Sequence, residues 1–89
     1  MYTHIEQIEV STVSGQDIFD GKFKYKPGVA MHSIANLTLK VSADVELLIN
    51  ESEKPVLIKK DLGFSITNTC IKTIKPLKSG VEIYAIFSY

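Results

Sequence analysis

Several residue types that define common classes of protein are scarce in this sequence. Its 89 residues include one cysteine and no tryptophan, so no disulfide can form within the chain. The two histidines, His4 and His32, stand apart from each other and from Cys70. Because metal ions need clustered His, Cys or carboxylate ligands, we expect no metal site and no cofactor.

The chain also lacks a surplus of charge and any long apolar run. Ten basic residues balance ten acidic ones, and only Lys59 and Lys60 are adjacent lysines. A nucleic-acid surface needs clustered positive charge, so we expect no nucleic-acid partner and little repulsion between copies of the chain. Its apolar runs are far shorter than the ~20 residues of a membrane-spanning helix, so we expect no membrane insertion. Residues 1–13 lack the features of a secretory signal, which indicates synthesis in a cytosol.

The strongest positive signal is alternation of apolar and polar residues with a period of two, the pattern of half-buried β-strands. It predicts strands over 5–13, 18–25 with a hairpin turn at Asp20-Gly21, 37–41, 45–49, 56–58, 62–66, 71–74 and 81–89. No segment shows a sustained helical period, which excludes architectures that alternate strands and helices. Seven or eight short strands with frequent turn signals predict an all-β fold. We expect 1–89 to form one antiparallel β-sandwich domain, jelly-roll-like.

The inward-facing residues of these strands define the predicted core. They are Leu37, Leu39, Val41, Val45, Leu47, Ile49, Phe64, Ile66, Ile83, Ala85 and Phe87. Cys70 lies in an apolar stretch and is expected to be a small, buried and inert side chain.

The last strand does not follow the one-sided pattern. Tyr84 and Ile86 add apolar side chains to its second face, and Leu48 does the same for the strand at 45–49. A small sandwich has no spare element to cover an outer face, and exposed apolar patches mark contact sites. We therefore predict that Tyr84, Ile86 and Leu48 face a neighbouring subunit.

No motif predicts catalysis, so we expect no catalytic residues and no enzymatic activity. Serine and histidine occur without the structural frame of a nucleophilic triad, and the glycines are too dispersed to cradle a phosphate. Asp17 and Asp20 flank turn signals, where aspartate commonly bonds backbone amides. Sugar binding is harder to dismiss, because an exposed aromatic ring can stack on a sugar. Tyr2, Tyr25 and Tyr89 are the candidates for stacking on a host-surface glycan, although core packing or an interchain contact explains the tyrosines more simply.

One stretch, from Ser33 to Tyr89, carries a family resemblance through its turn and strand motifs. Ile49-Asn50 closes one strand, Ser79-Gly80-Val81 opens the last, and the chain finishes on Tyr89. This stretch resembles small β-sandwich virion proteins encoded among the tail and capsid genes of phages of Gram-positive bacteria, with Tyr84 one place later than the pattern has it. The resemblance covers about two-thirds of the chain and brings no catalytic residues.

The resemblance implies a non-enzymatic structural or accessory protein of a phage virion, such as a fibre head, a decoration protein or a baseplate component. Such a protein is made in the cytoplasm of the bacterial host and acts in the virion, as a homo-oligomer or attached to other virion proteins. Two alternatives remain open at this point. One is a carbohydrate-binding module, and the other is a small phage-encoded inhibitor that binds a host protein or a signalling nucleotide.

Overall fold

The computed structural model describes residues 4–23 and 33–89. This part of the chain forms seven strands: β1 (Ile5–Ser11), β2 (Asn36–Val41), β3 (Val45–Ile49), β4 (Val56–Ile58), β5 (Phe64–Ile66), β6 (Ile74–Pro76) and β7 (Glu82–Ser88). Within these residues there is no helix. The prediction of an all-β fold with seven or eight short strands is therefore confirmed.

The strands form two antiparallel sheets whose inner faces share one core. The four-stranded sheet has the order β1-β7-β2-β5, and the three-stranded sheet has the order β4-β3-β6. Partners are nested about the middle of the chain: β1 pairs with β7, β2 with β5, and β3 with β4. Nested antiparallel pairing folded into two sheets is the arrangement of a jelly roll, as the strand pattern predicts.

The place of an eighth strand, beside β6, is taken by the segment that follows β1. The backbone N–H of Gly15 donates to the carbonyl of Pro76 at 2.7 Å, and that of Ile18 donates to the carbonyl of Ile74 at 2.9 Å. One carboxylate oxygen of Asp17 accepts from the Ile74 N–H at 3.0 Å, so a side chain replaces a ladder bond. The free edge of β6 is covered in this way without regular pairing.

The predicted hairpin at Asp20-Gly21 is wrong for the residues described. Residues 18–23 form turns, with φ values of 55° at Asp20 and 76° at Gly21. The second carboxylate oxygen of Asp17 accepts from the Gly21 N–H at 3.0 Å, so the loop closes on Asp17 instead of on a second strand. The rest of the predicted hairpin, including Tyr25, lies outside the described residues.

The core matches the predicted residues and extends beyond them. Leu37, Leu39, Val41, Val45, Leu47, Ile83, Ala85 and Phe87 are buried, while Ile49, Phe64 and Ile66 are half-buried and pack against them. The core also takes in Ile18, Phe19, Phe23, Ile34, Ile58, Ile71, Ile74 and Val81. Phe19 and Phe23 both meet the ring of Phe87 edge-on, so the turns after β1 close one end of the core with aromatic contacts.

Candidate contact surfaces

Tyr84 and Ile86 lie on the outer face of the four-stranded sheet. The register places Tyr84 between Glu9 on β1 and Lys40 on β2, and it places Ile86 between Gln7 and Thr38. Tyr84 is half-buried and its hydroxyl donates to Oε1 of Gln7 at 3.1 Å. Ile86 is 41% exposed.

One end of this outer face carries pairs of small polar side chains. Asn36 donates its side-chain N–H to the hydroxyl of Ser88 at 2.9 Å, and the hydroxyls of Thr38 and Ser65 are 3.2 Å apart. Cross-strand pairs of this kind satisfy one another along the sheet. Two apolar side chains are exposed among these groups: Ile86, and Ile5 of β1, which lies opposite Ser88 and is 73% exposed.

A shallow cavity of about 360 Å³ adjoins Tyr84 on this face. Its lining includes Glu9, Lys40, Ser42 and Glu82. Hydrogen-bonding groups therefore lie around the tyrosine, together with the apolar residues Val41 and Ile83.

Leu48, the third residue predicted for the interface, lies on the other sheet. It belongs to β3, where it pairs with Lys75 of β6 and faces away from the core, opposite in direction to its buried neighbour Leu47. The outer faces of the two sheets point to opposite sides of the sandwich. The structure therefore does not bring Leu48 together with Tyr84 and Ile86, and one flat contact cannot include all three.

Leu48 instead belongs to a cluster of leucines on the outer face of the three-stranded sheet. Leu57 of β4 pairs with Glu46 of β3, and the backbone N–H of Leu77 donates to the carbonyl of Glu46 at 3.0 Å. Leu57 and Leu77 are 51% and 44% exposed, and Leu48 is half-buried one row away. We refer to Leu48, Leu57 and Leu77 as the leucine patch.

The leucine patch reaches the free edge of β4. All three residues of this edge strand are aliphatic, and Val56 is 39% exposed next to Leu57. Beyond the strand, a carboxylate oxygen of Asp44 accepts from the Lys60 backbone N–H at 2.8 Å. That hydrogen bond, followed by the attraction of Lys59, lowers the pKa of Asp44, and it fixes the end of β4.

Tyr89, a predicted stacking residue, is half-buried in an aromatic cluster. The rings of His4 and Phe87 stack on it with centroids 5.3 and 6.2 Å away, and Phe23 meets it edge-on at 5.0 Å. The ring of Tyr89 therefore makes aromatic contacts within the fold. Tyr2 and Tyr25, the other two candidates, lie outside the described residues.

An ionic group holds this aromatic cluster together. The Lys22 ammonium donates to Glu6 and, at 3.0 Å, to the hydroxyl of Tyr89, which itself donates to Glu6. The hydrogen bond from Lys22 is the main reason that the pKa of Glu6 lies below its ordinary value. The same bond raises the pKa of Lys22. The group ties the turns at 17–23 to both ends of the chain and has a structural role.

Cys70 was predicted to be buried, and this is wrong. Its neighbour Ile71 points into the core and pairs with Ile34, so Cys70 points the other way and is exposed. Among the described residues, no three His, Cys, Asp or Glu side chains form a group that could hold a metal ion. The described part of the chain also contains no helix long and apolar enough to cross a membrane.

Comparison with known proteins gives no match. No family model fits the chain, and no curated protein or solved structure is significantly similar to it. Its function has therefore to be argued from its own surfaces.

Sequence reasoning missed most of the leucine patch, although a signal was present. In Val56-Leu57-Ile58 three apolar residues follow one another, so one of them must face outward in any strand. Leu77, directly after Pro76, lies outside the strands that the sequence predicts. Its place opposite Glu46 follows from the register of β3 and β6, which the sequence does not specify.

Proposed function

We propose that this chain is a non-enzymatic structural or accessory protein of a phage virion, attached to the particle through the leucine patch. The observation that carries the proposal is the exposure of Leu57 and Leu77 on either side of Glu46. Isolated exposed leucines are common, but several exposed apolar side chains on one sheet face, here around the carboxylate of Glu46, favour a protein contact. The jelly roll, a fold that viral capsid proteins share with lectins, and the resemblance of Ser33–Tyr89 are consistent with this role.

Glu46 provides a charged group for the proposed attachment. Its carboxylate is exposed at the centre of the patch and makes no ion pair among those of the described residues. A partner surface that brings a lysine or arginine among apolar side chains would satisfy the carboxylate while covering the leucines. Such a charge-assisted bond would set the orientation of the attached subunit.

Quantitative mass spectrometry of purified particles tests the proposal. The wild-type chain and an Ile86→Lys variant, changed on the opposite sheet, are expected in the particles at equal copy number. A Leu77→Lys variant is expected to be lost from them, because a lysine opposite Glu46 would pair with the carboxylate in place of the partner's cation and would remove an apolar contact. Absence of the wild-type chain from particles would overturn the proposal, and binding on a glycan array would then favour the carbohydrate-binding alternative.

A further inference from the structure

We propose that the shallow cavity beside Tyr84, on the outer face of the four-stranded sheet, is a binding site for one sugar ring of a glycan. The proposal goes beyond the attachment through the leucine patch and does not rest on it, since the two outer faces point to opposite sides of the sandwich. A chain attached through one of these faces would present the other to its surroundings. We refer to this site as the Tyr84 cavity.

The side chains of the Tyr84 cavity come from two adjacent rows across the sheet. One row consists of Glu9 on β1, Tyr84 on β7 and Lys40 on β2. Glu82 lies two residues before Tyr84 on β7, and Ser42, just after β2, donates its backbone N–H to the Glu82 carbonyl at 3.0 Å. All five residues line the cavity, and all except the half-buried Tyr84 are exposed. The register of three strands therefore brings two carboxylates, an ammonium group and a hydroxyl around one aromatic ring.

The volume of the cavity and the position of the tyrosine suit a single sugar ring. At about 360 Å³, the cavity lies near the lower end of the roughly 300–1,000 Å³ of small-molecule sites. The hydroxyl of Tyr84 donates to Oε1 of Gln7, which lies outside the cavity lining. This hydrogen bond holds the aromatic side chain at one side of the cavity, so stacking on a sugar would cost it little conformational freedom.

The charges of the Tyr84 cavity favour a neutral ligand. Glu9, Glu82 and Lys40 take part in none of the ion pairs among the described residues, so their hydrogen-bonding capacity is available. An anion would meet the two carboxylates, and a cation would meet the ammonium group of Lys40. Among the described lining residues Tyr84 is also the single aromatic, whereas quaternary ammonium groups are bound by cages of several aromatic rings.

A sugar ring matches these groups along its edge and on its face. Each sugar hydroxyl both donates and accepts hydrogen bonds, while the carboxylates of Glu9 and Glu82 only accept them and the ammonium group of Lys40 only donates them. The Ser42 hydroxyl accepts from the backbone N–H of Glu82 at 2.9 Å, and its own O–H is left to donate. The C–H face of a sugar can lie against the ring of Tyr84, because tyrosine combines a large apolar body with a polar end.

Amide chemical shifts of the isotope-labelled full chain test the proposal. They are followed during titrations with glucose, galactose and N-acetylglucosamine and, separately, with choline and inorganic phosphate. We expect at least one of the three sugars to shift residues 40–42 and 82–84 saturably in the millimolar range, with residues 56–58 and 77 unchanged. The proposal is overturned if none of the sugars shifts these residues, or if choline or phosphate shifts them and the sugars do not.

Three variants, titrated with the sugar that binds, place it in the Tyr84 cavity. Tyr84→Leu keeps an apolar side chain but removes the aromatic ring, and it should weaken binding about tenfold. Glu82→Gln should weaken binding roughly three- to tenfold, because the amide provides one acceptor oxygen where the carboxylate provides two. Glu46→Gln, the matched control, removes the same charge from the opposite sheet and should leave the sugar affinity unchanged. An affinity that neither cavity variant lowers would place the sugar elsewhere and overturn the proposal.

Discussion

The two sheets have similar inner faces and different outer faces. Inside, β2, β3 and β7 alternate in the same way and bury one aliphatic or aromatic side chain at every second position. Outside, the four-stranded sheet carries hydroxyl and amide pairs with two exposed isoleucines, Ile5 and Ile86, among them. The three-stranded sheet carries three leucines around the charged side chains of Glu46 and Lys75. Burial determines the inner faces, so the outer faces are where the sequence is free to encode a contact.

The difference between inner and outer faces predicts that residues on the two faces of β3 contribute unequally to the free energy of unfolding. Leu47 is fully buried and Leu48, the next residue, faces outward. We expect Leu47→Ala to lower the free energy of unfolding by roughly 2–4 kcal/mol, a large part of the roughly 5–15 kcal/mol of a typical domain. Leu48→Ala, the matched control, should cost less than about 1 kcal/mol. Urea denaturation measures both, and equal losses would place Leu48 in the core.

The link between the sheets can be tested at the turn between β4 and β5. Gly63 has a φ of 64°, and a Cβ at this residue would lie 2.8 Å from the carbonyl oxygen of Leu39 on β2. Gly80 has a similar φ of 81° but open space around it. We expect Gly63→Ala to cost about 2 kcal/mol and Gly80→Ala about 1 kcal/mol, the cost of the left-handed backbone alone. Thermal unfolding measures both losses of stability. Equal losses in the two variants would contradict the close approach of Gly63 to Leu39.

Substitution of Asp17 tests how the edge of β6 is covered. Its carboxylate accepts backbone N–H groups from both Ile74 and Gly21, whereas Asp20 is exposed. We expect Asp17→Asn to cost about 1–2 kcal/mol, because the amide provides one acceptor where the carboxylate provides two. Asp20→Asn should be neutral, since asparagine tolerates a positive φ. Amide hydrogen exchange at Ile18 and Ile74 should accelerate only in the first variant.

The smallest expected effect lies at Glu6, on the four-stranded sheet. The Lys22 hydrogen bond lowers the pKa of Glu6 from 4.5. The contribution of Glu6 to the free energy of unfolding is therefore fully present above that pH. It is lost as the pH falls through the lowered pKa of the folded state. The Glu6 side chain is 37% exposed, so salt should weaken the effect. Between pH 6 and pH 3 the thermal unfolding temperature should fall less steeply for Glu6→Gln than for the wild type. Identical slopes would show that the ion pair of Glu6 does not contribute to stability.

Much of the fold could be predicted from local patterns, because alternation in β2, β3 and β7 directly specifies the buried face. The turns at 18–23 could not, since their conformation depends on Asp17 reaching β6, which is remote in sequence. Predicting Tyr84 and Ile86 as outward-facing required only the period of the last strand. Placing Leu48 on the opposite side required the sheet order, and grouping it with Leu57 and Leu77 required the register of three strands. These are long-range properties that a sequence pattern does not contain.

The central claim is that the leucine patch on the three-stranded sheet carries the proposed attachment and the four-stranded sheet does not. Amide hydrogen exchange, measured on the free chain and on the chain in purified particles, tests it directly in the unmodified protein. We expect slower exchange in the particles at residues 56–58 and 77, with residues 82–88 unchanged. Slower exchange confined to residues 82–88, around Tyr84 and Ile86, would contradict the claim.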